Sequence, residues 1–235
     1  MTKPPIIDRE FAEKFLTAAD RPFDYGVYFL FHDWWAEASQ DAIDGYEAQL
    51  QALAGVDEFL AERHIADPIA LDDLEQYEPG TLGHGYRSFI VDNGLEANLG
   101  TNYREMNEKL TASGMLDRLP DDMSYLMVRG FQLHDFLHVL TGFSSKPMGE
   151  LAQAAFHYAQ MRSPYHAMRM SVTTAHLAYV APQHTVQVMD AIADGWALGR
   201  ASDNLHFTKW EDELATPIAE IRERHNMVGA GAARH

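Results

Sequence analysis

Apolar residues recur at helical spacing along most of the chain, and alternating strand-like runs are scarce. The clearest set of such positions lies in mid-chain and consists of Tyr125, Leu126, Leu133, Leu137 and Leu140. The pattern predicts an all-α fold of about eight or more helices joined by short connections. We expect one domain, a multi-helix bundle.

Helix starts are marked by hydroxyl residues and prolines. Ser145-Lys146-Pro147, Ser163-Pro164 and Thr216-Pro217 each predict a start, the last two with a hydroxyl residue at the N-cap and proline at the first helical position. Thr208 and Glu211 have the spacing of a capping box, which predicts a further start.

One irregular segment interrupts this pattern. Residues 77–86 contain three glycines and one proline, which predicts a shaped loop followed by a helix that begins near Tyr86. We therefore expect residues 1–70 to form a helical segment packed on the same domain, residues 71–226 to form its core, and residues 227–235 to form a flexible, glycine- and alanine-rich tail.

The charge is strongly acidic and unevenly distributed. The 235 residues include 18 Lys and Arg against 35 Asp and Glu, a net charge of −17 with the histidines neutral. This imbalance argues against nucleic-acid binding, which depends on Lys and Arg at phosphates. Residues 37–78 hold twelve acidic residues and one arginine, whereas residues 151–189 hold no acidic residue. The second stretch can therefore accept an anionic ligand or lipid headgroup.

Cysteine is absent from the sequence, which excludes disulfides, thiolate metal sites and cysteine nucleophiles. Any metal must bind His, carboxylate or water. The first ten residues lack the apolar region of a signal peptide, and no apolar stretch reaches the roughly 18 residues of a spanning helix. We expect a protein that is soluble or that at most lies on a membrane surface.

The candidate chemistry lies in a short histidine motif. His134 and His138 are four residues apart, so on a helix both imidazoles project from one face. Asp135 lies about 100° around that helix. Glu150 follows a helix break at residues 142–147, in the first turn of the next helix. Two histidines with carboxylates suit zinc, or iron, manganese or cobalt.

This motif, His134-Asp135-x-x-His138 followed after eleven residues by Glu150, resembles the signature of the Coq4 family of ubiquinone-biosynthesis proteins. The similarity covers roughly residues 70 to 225. Further matching positions are Pro79-Gly80-Thr81-Leu82-Gly83, Tyr86, Phe89, Tyr125, Met127, Arg129, Gly142, Gly149, Trp196, Trp210-Glu211 and Leu214. Two positions depart from the family pattern: Phe131 replaces a second basic residue, and His157 replaces an acid.

The resemblance implies a divalent metal, usually zinc, on His134, Asp135, His138 and Glu150, with iron, cobalt, manganese and magnesium as alternatives. It implies isoprenoid lipid binding, membrane association and a role in ubiquinone formation with other biosynthesis proteins. Because no transit peptide is recognisable, we expect a bacterial member of the family, in the cytoplasm and peripheral to the inner membrane. We expect a prenylated ring intermediate as ligand, exchange of its C1 carboxyl for a hydroxyl, and a homodimer. Asp135 and Glu150 are then catalytic, while Arg129 and Tyr86 bind substrate.

Three alternatives stay open. The metal is structural in a non-catalytic scaffold that binds isoprenoid lipids for a ubiquinone biosynthesis complex. Arg129 forms a salt bridge within the protein rather than with a substrate carboxylate. The His-Asp dipeptides at residues 32–33 and 134–135 allow an HD-type phosphohydrolase, although that reading leaves His138 and Glu150 unexplained.

Overall fold

The structure is a computed structural model that describes residues 9–21, 27–114, 117 and 119–231. Within these residues it contains twelve α-helices and no β-strand, so the all-α prediction is confirmed. In chain order they are α1 (Arg9–Asp20), α2 (Val27–Glu37), α3 (Gln40–Gln51), α4 (Val56–Glu62), α5 (Leu82–Asn93), α6 (Glu96–Leu99), α7 (Tyr103–Ala112), α8 (Asp121–Thr141), α9 (Pro147–Met161), α10 (Pro164–Val180), α11 (Thr185–Ala201) and α12 (Ile218–Arg224). The described residues also form four 3₁₀ turns, at Leu71–Leu74, Pro182–His184, Leu205–Phe207 and Trp210–Glu213.

Helix α8 forms the centre of the fold. Asp121 and Asp122 lie in its first turn, where their negative charge interacts favourably with the helix dipole and stabilises the helix. Gly142 ends the helix in the left-handed conformation at φ 82°. Leu133, Leu137 and their neighbours on α8 are buried in the main core, together with residues of α5, α9 and the C-terminal segment.

Helices α9 and α11 pack in close contact because small residues face each other. A Cβ on Gly195 would lie 2.0 Å from the backbone oxygen of Ala152, and one on Gly199 would lie 2.8 Å from the Cβ of Ala159. Substitution at either position therefore has to separate the two helices. This packing fixes α9, which carries Glu150.

Helix α5 begins earlier than predicted. Thr81 caps it, its hydroxyl accepting a hydrogen bond from the backbone N–H of His84, so the helix starts at Leu82 rather than near Tyr86. The predicted loop is present but ends at Thr81, because Gly83 lies within the helix, where the ring of Tyr77 leaves no room for a side chain. A Cβ on Gly83 would lie 2.4 Å from the ring of Tyr77.

The other predicted starts had mixed outcomes. Helices α9 and α10 begin at Pro147 and Pro164 as predicted. Helix α12 begins at Ile218, one residue later than the Thr216-Pro217 signal indicated. The capping box at Thr208 was wrong, because Glu211 binds Arg129 and only a 3₁₀ turn forms at Trp210–Glu213.

The N-terminal helices pack on the same body as the rest. Helices α3 and α4 contribute Leu50, Val56 and Phe59 to a cluster with α8, while α1 and α2 contact α10. Residues 1–8 and 22–26 of the expected N-terminal segment lie outside the described residues.

Part of the predicted tail packs against the core. The N–H of Gly231 donates to the backbone oxygen of Thr141 at 3.0 Å, and Met227 is buried. The expectation of a flexible tail therefore does not describe residues 227–231, and residues 232–235 lie outside the described part of the chain. Among the helices that the structure describes, none has the length and hydropathy to cross a membrane.

Candidate metal centre and adjoining cavity

Three predicted ligands come together between α8 and α9. His134 and His138 lie one turn apart, with 3.1 Å between their Nε2 atoms. Glu150 approaches from α9, its Oε1 3.2 Å from Nε2 of His138 and its Oε2 3.6 Å from Nε2 of His134. Because these ligand atoms all lie within 4.8 Å of one another, the group could hold one metal ion.

The surroundings of His138 suit a metal ligand. Its Nδ1 lies 2.9 Å from the backbone oxygen of Phe143, an acceptor, so Nδ1 carries a proton and Nε2 is the nitrogen that faces His134 and Glu150. The ring of Phe89 stacks on the imidazole with 5.2 Å between centroids. His138 is therefore fixed both in tautomer and in orientation.

Two glycines let the chain return to the histidines. Gly142 ends α8, and Gly149 lies one residue before the predicted ligand Glu150. A Cβ on Gly149 would lie 2.1 Å from the backbone oxygen of Ser144, so only glycine allows the first turn of α9 to approach the connecting loop this closely. This close approach positions Glu150.

Glu150 is held as a carboxylate. Burial alone would raise its pKa, but hydrogen bonds from His134 and His138, and the positive charge they carry when protonated, outweigh burial and hold the pKa far below its usual range. Nη2 of Arg169 adds a hydrogen bond to Oε2 at 2.8 Å. An anionic oxygen and two imidazole nitrogens form a donor set that suits a divalent cation.

Asp135, the fourth predicted ligand, lies near the group but outside it. Its Oδ2 accepts a hydrogen bond from Nδ2 of Asn98 at 3.0 Å. Burial, together with the charge of Asp135, raises the pKa of Tyr103 to about 12 and raises that of Tyr86 as well. Asp135 thus contributes negative charge to the cavity wall beside the group.

The two predicted substrate-binding residues are engaged within the protein. Arg129 is 1% exposed and makes two hydrogen bonds to Glu211, at 2.6 and 2.8 Å. It also binds Gln132 and the backbone oxygen of Thr208. Tyr86 is buried with its ring stacked on Phe136, 3.9 Å between centroids. The arrangement around Arg129 is that of the salt-bridge alternative, because Glu211 occupies its guanidinium.

A cavity of about 320 Å³ adjoins the group and includes His134 in its wall. Most of its lining is apolar, supplied by Phe31, Tyr46, Leu50, Leu119, Met123, Leu126, Met127, Phe131, Met161, Pro164 and Tyr165. Its polar and charged residues are Asn98, Tyr103, His134, Asp135, His157, Arg162, Ser163, His166, Arg169 and His206. The cavity is thus amphipathic, a polar region beside His134 with an apolar remainder.

Two buried histidines in this wall belong to a directed hydrogen-bond chain. The Oε1 of Gln160 accepts from the backbone N–H of Leu205, which fixes the amide, and it lies 3.1 Å from Nδ1 of His206. That nitrogen must carry the proton, so Nε2 of His206 accepts from Nδ1 of His157 at 2.6 Å. Nε2 of His157 in turn accepts from Gln153. Both imidazoles are neutral in this chain.

Burial keeps this region uncharged. It lowers the pKa of His206 to about 3. Burial and the neighbouring histidines lower the pKa values of His157 and His166 well below their usual range. The ring of His157 stacks on His134 with 5.7 Å between centroids, so the chain also supports the orientation of His134.

Apart from His134, the basic and histidine residues of the cavity wall were not assigned from the sequence. Arg162, Arg169, His157 and His166 all come from the acid-free stretch 151–189, and all line the cavity. The absence of acidic residues directly after Glu150 was the available signal. It indicated an anion-tolerant surface but not which side chains would face His134.

Comparisons of the sequence with known proteins find relatives in one family. The model of the family described as Coenzyme Q (ubiquinone) biosynthesis protein Coq4 matches residues 51–230. The mitochondrial ubiquinone biosynthesis protein COQ4 of Uncinocarpus reesii is 24% identical over 167 residues, 70% of this chain and 54% of that protein. The mitochondrial COQ4 homolog of Nematostella vectensis is 25% identical over 165 residues, 69% and 73% of the two chains.

A solved structure extends this likeness to the fold. The crystal structure of a candidate ubiquinone biosynthesis protein from Nostoc punctiforme is similar with a TM-score of 0.69 and 26% identity, over 93% of this chain and 95% of that one. The chain spans about half the length of the fungal relatives it matches, 54% and 47% for two of them.

Proposed function

The chain belongs to the Coq4 family of ubiquinone biosynthesis proteins, and from this premise we propose that it holds a divalent metal ion and a prenylated ring intermediate side by side. His134, His138 and Glu150 bind the ion, zinc in the first instance. The cavity next to His134 binds the ring. The protein acts in the ubiquinone pathway together with other biosynthesis proteins.

The observation that carries this proposal is the position of His134. It belongs to the three-residue group and also forms part of the cavity wall, and its side chain is 30% exposed. His138, by contrast, is buried. An ion bound by the group is therefore accessible from the cavity on the His134 side. Catalytic metal sites require such access, whereas structural sites are closed by protein ligands.

The chain's own residues prepare the site for an anionic aromatic ligand. When bound, the ion supplies a Lewis acid that polarises an oxygen of the ligand. Phe143 fixes the tautomer of His138, and His157 supports the ring of His134. The apolar wall excludes water from the prenyl group, whose burial stabilises the complex by about 25 cal/mol per Å² of apolar surface.

The ring reaction we assign is the exchange of the C1 carboxyl for a hydroxyl. The bond between C1 and the carboxyl carbon breaks, carbon dioxide leaves and a C–O bond forms. This change removes two electrons from the organic substrate. Molecular oxygen is the acceptor. Zinc has no redox chemistry with which to activate it, so this ring step requires iron, manganese or cobalt at the site. Carboxylic acid, water and O₂ then give the hydroxylated ring, carbon dioxide and hydrogen peroxide. Asp135, which lines the cavity, and Glu150, which contacts His134 and His138, are the carboxylates to which we assign catalytic roles.

We also propose contact with a membrane surface through the end of α10 and the start of α11. Tyr179, Val180, Val186 and Met189 expose large apolar side chains there. The stretch 151–189 carries no acidic residue that would repel anionic headgroups.

A second candidate function is the scaffold, favoured by the burial of His138 and by the way the group joins α8 to α9. In that case the ion holds two helices together and the cavity presents the intermediate to other enzymes. Both functions need the cavity, and they differ in whether loss of the ion stops one ring step.

Complementation separates the two. A strain without its own family member is supplied with the wild type, with Glu150→Gln, or with Glu220→Gln, whose carboxylate is exposed on α12. We expect the wild type and Glu220→Gln to restore ubiquinone. Glu150→Gln should accumulate the C1-carboxylated precursor in mass spectra. Full rescue by Glu150→Gln with no precursor would contradict the catalytic proposal. A general loss of all intermediates would favour the scaffold.

A further inference from the structure

Arg169 connects the metal group, which consists of His134, His138 and Glu150, to the cavity. No motif of the sequence indicated this connection. It lies on α10, and its Nη2 donates to Oε2 of Glu150 at 2.8 Å. It also lines the cavity, and its side chain is 31% exposed. Its Nε and Nη1 make no hydrogen bond to any residue that the structure describes. Glu150 therefore holds the guanidinium through Nη2, while the N–H groups of Nε and Nη1 remain able to donate to a ligand.

A second polar group lies one turn away on the same helix. His166 is three residues before Arg169 and lines the same cavity. Its Nδ1 is shielded from solvent and has no hydrogen-bond partner among the described residues. A shielded nitrogen without a partner is costly unless a ligand satisfies it. Two polar side chains at this spacing on α10 therefore have unused hydrogen-bonding capacity at one cavity.

From this arrangement we infer that Arg169 is the residue that selects a ring bearing a carboxylate, with His166 as the second polar contact. The inference rests on the proposed function, because it names the residue that recognises the ring intermediate. A guanidinium with free donors pairs with a carboxylate through charge-assisted hydrogen bonds. Since Glu150 holds Arg169, a carboxylate bound there lies beside the metal ligands.

Other cationic candidates fit less well. Arg129 is buried against Glu211. Arg162 also lines the cavity, but its Nη1 lies 3.5 Å from the backbone oxygen of Gln49, and it has no contact with Glu150. Arg162 is therefore a matched control, an arginine in the same wall that is not joined to the metal group.

The test compares two probes that differ only in the carboxylate, 4-hydroxy-3-prenylbenzoate and 2-prenylphenol. Their dissociation constants are measured by calorimetry on the full chain, first with the metal it carries and then after chelation. The chelated arm removes any preference that comes from the ion itself. Metal content is determined for every variant, and circular dichroism checks the fold.

We expect the wild type to bind the carboxylated probe at least about tenfold more tightly than the phenol, the size of one charge-assisted hydrogen bond. Arg169→Met should bring this ratio close to one in the chelated arm, lower it in the metal-bound arm, where only the preference of the ion itself remains, and leave the affinity for the phenol within about threefold. Arg169→Lys keeps the charge but loses the planar fork, so the ratio should be intermediate. Arg162→Met should keep the wild-type ratio, and His166→Phe should weaken binding of the carboxylated probe several-fold.

Each other outcome has a definite meaning. An unchanged ratio in Arg169→Met and Arg169→Lys would overturn the assignment of Arg169, as would an equal loss in Arg162→Met. Equal binding of both probes by the wild type would overturn it while the proposed function stands. A wild type that binds neither probe would remove the ring-binding part of the proposed function and this inference with it.

Discussion

Glu150 and Arg169 are joined by a 2.8 Å hydrogen bond between Oε2 and Nη2, and this contact links the metal group to the cavity. The other oxygen of Glu150 lies 3.2 Å from Nε2 of His138. A single carboxylate therefore contacts α8 through a histidine and α10 through an arginine. Any movement of α9 changes both the group that can hold the ion and the position of the arginine that lines the cavity.

Replacement of His138 by alanine should abolish stoichiometric metal binding. His138 is one of the three residues that could bind the ion. Loss of a residue that only hydrogen-bonds to a metal ligand already lowers metal affinity about 10- to 100-fold, so loss of a ligand itself should cost more. We expect the metal affinity of His138→Ala to fall more than 100-fold, measured by elemental analysis and competitive chelation. His184→Ala, at an exposed position, should retain the metal. A His138→Ala protein with one equivalent of metal would contradict the assignment of the centre.

Replacement of Arg129 should reduce stability and leave the metal in place. Its guanidinium is buried and bound to Glu211, so Arg129→Met leaves an unpaired carboxylate whose side chain is only 11% exposed. We expect a loss of about 3–5 kcal/mol in the free energy of unfolding in urea. The double variant Arg129→Met, Glu211→Gln should recover part of this loss because neither charge remains. A loss under about 1 kcal/mol, together with weaker ligand binding, would favour the substrate-binding role instead.

The sequence predicted the local parts of this molecule well. Apolar spacing in α8, the proline at the start of α9 and the four-residue interval between His134 and His138 each depend on neighbours in the chain. The proximity of Glu150 followed from a helix, a break and a second helix. These features need only helical geometry.

Contacts between distant segments could not be predicted in this way. Arg129 and Glu211 are 82 positions apart, and Arg169 meets Glu150 across 19 positions. Gly83 was assigned to a loop by composition, but its lack of a side chain is required by the ring of Tyr77. Helical periodicity identifies the buried face of a helix but not which side chain of another helix packs on it.

Stability should fall in mild acid because buried histidines resist protonation. Burial lowers the pKa of His206 to about 3 from an unfolded value of 6.5. Below pH 6.5 the unfolded chain binds a proton there that the folded chain does not, so stability is complete above that pH and declines as the pH falls toward 3. Each such histidine contributes about 1.4 kcal/mol per pH unit.

Urea unfolding between pH 7.5 and pH 5 measures this effect. His206→Gln keeps an acceptor for Nδ1 of His157 and removes the titrating group. The slope of its unfolding free energy against pH should therefore be smaller than that of the wild type by the equivalent of roughly one bound proton. His184→Gln, at an exposed position, should show the wild-type slope. If His206→Gln and the wild type had identical slopes, His206 would not be a neutral buried base.

Substitution at Gly195 should disrupt the contact between α9 and α11. An added Cβ would lie 2.0 Å from the backbone oxygen of Ala152, and backbone cannot move aside cheaply. We expect Gly195→Ala to cost about 1–3 kcal/mol in urea unfolding. Gly45→Ala is the matched control, because Gly45 lies in exposed helix α3 with no atom within 4 Å of an added Cβ. That change should stabilise by about 0.5–1 kcal/mol. Equal effects at the two glycines would contradict the close packing.

Enlarging Gly130 should block the cavity without affecting the metal. Gly130 lies within α8 and lines the cavity, and an added Cβ would meet no atom within 4 Å. Gly130→Ala should therefore bind ligand normally and gain about 1 kcal/mol from helix propensity. Gly130→Leu places a branched side chain in the space we assign to the ring. We expect its affinity for 4-hydroxy-3-prenylbenzoate to fall at least about tenfold while elemental analysis still finds the metal, since a lost apolar contact of this size is worth about 1.5–3 kcal/mol. Unchanged affinity in Gly130→Leu would place the ligand elsewhere on the protein.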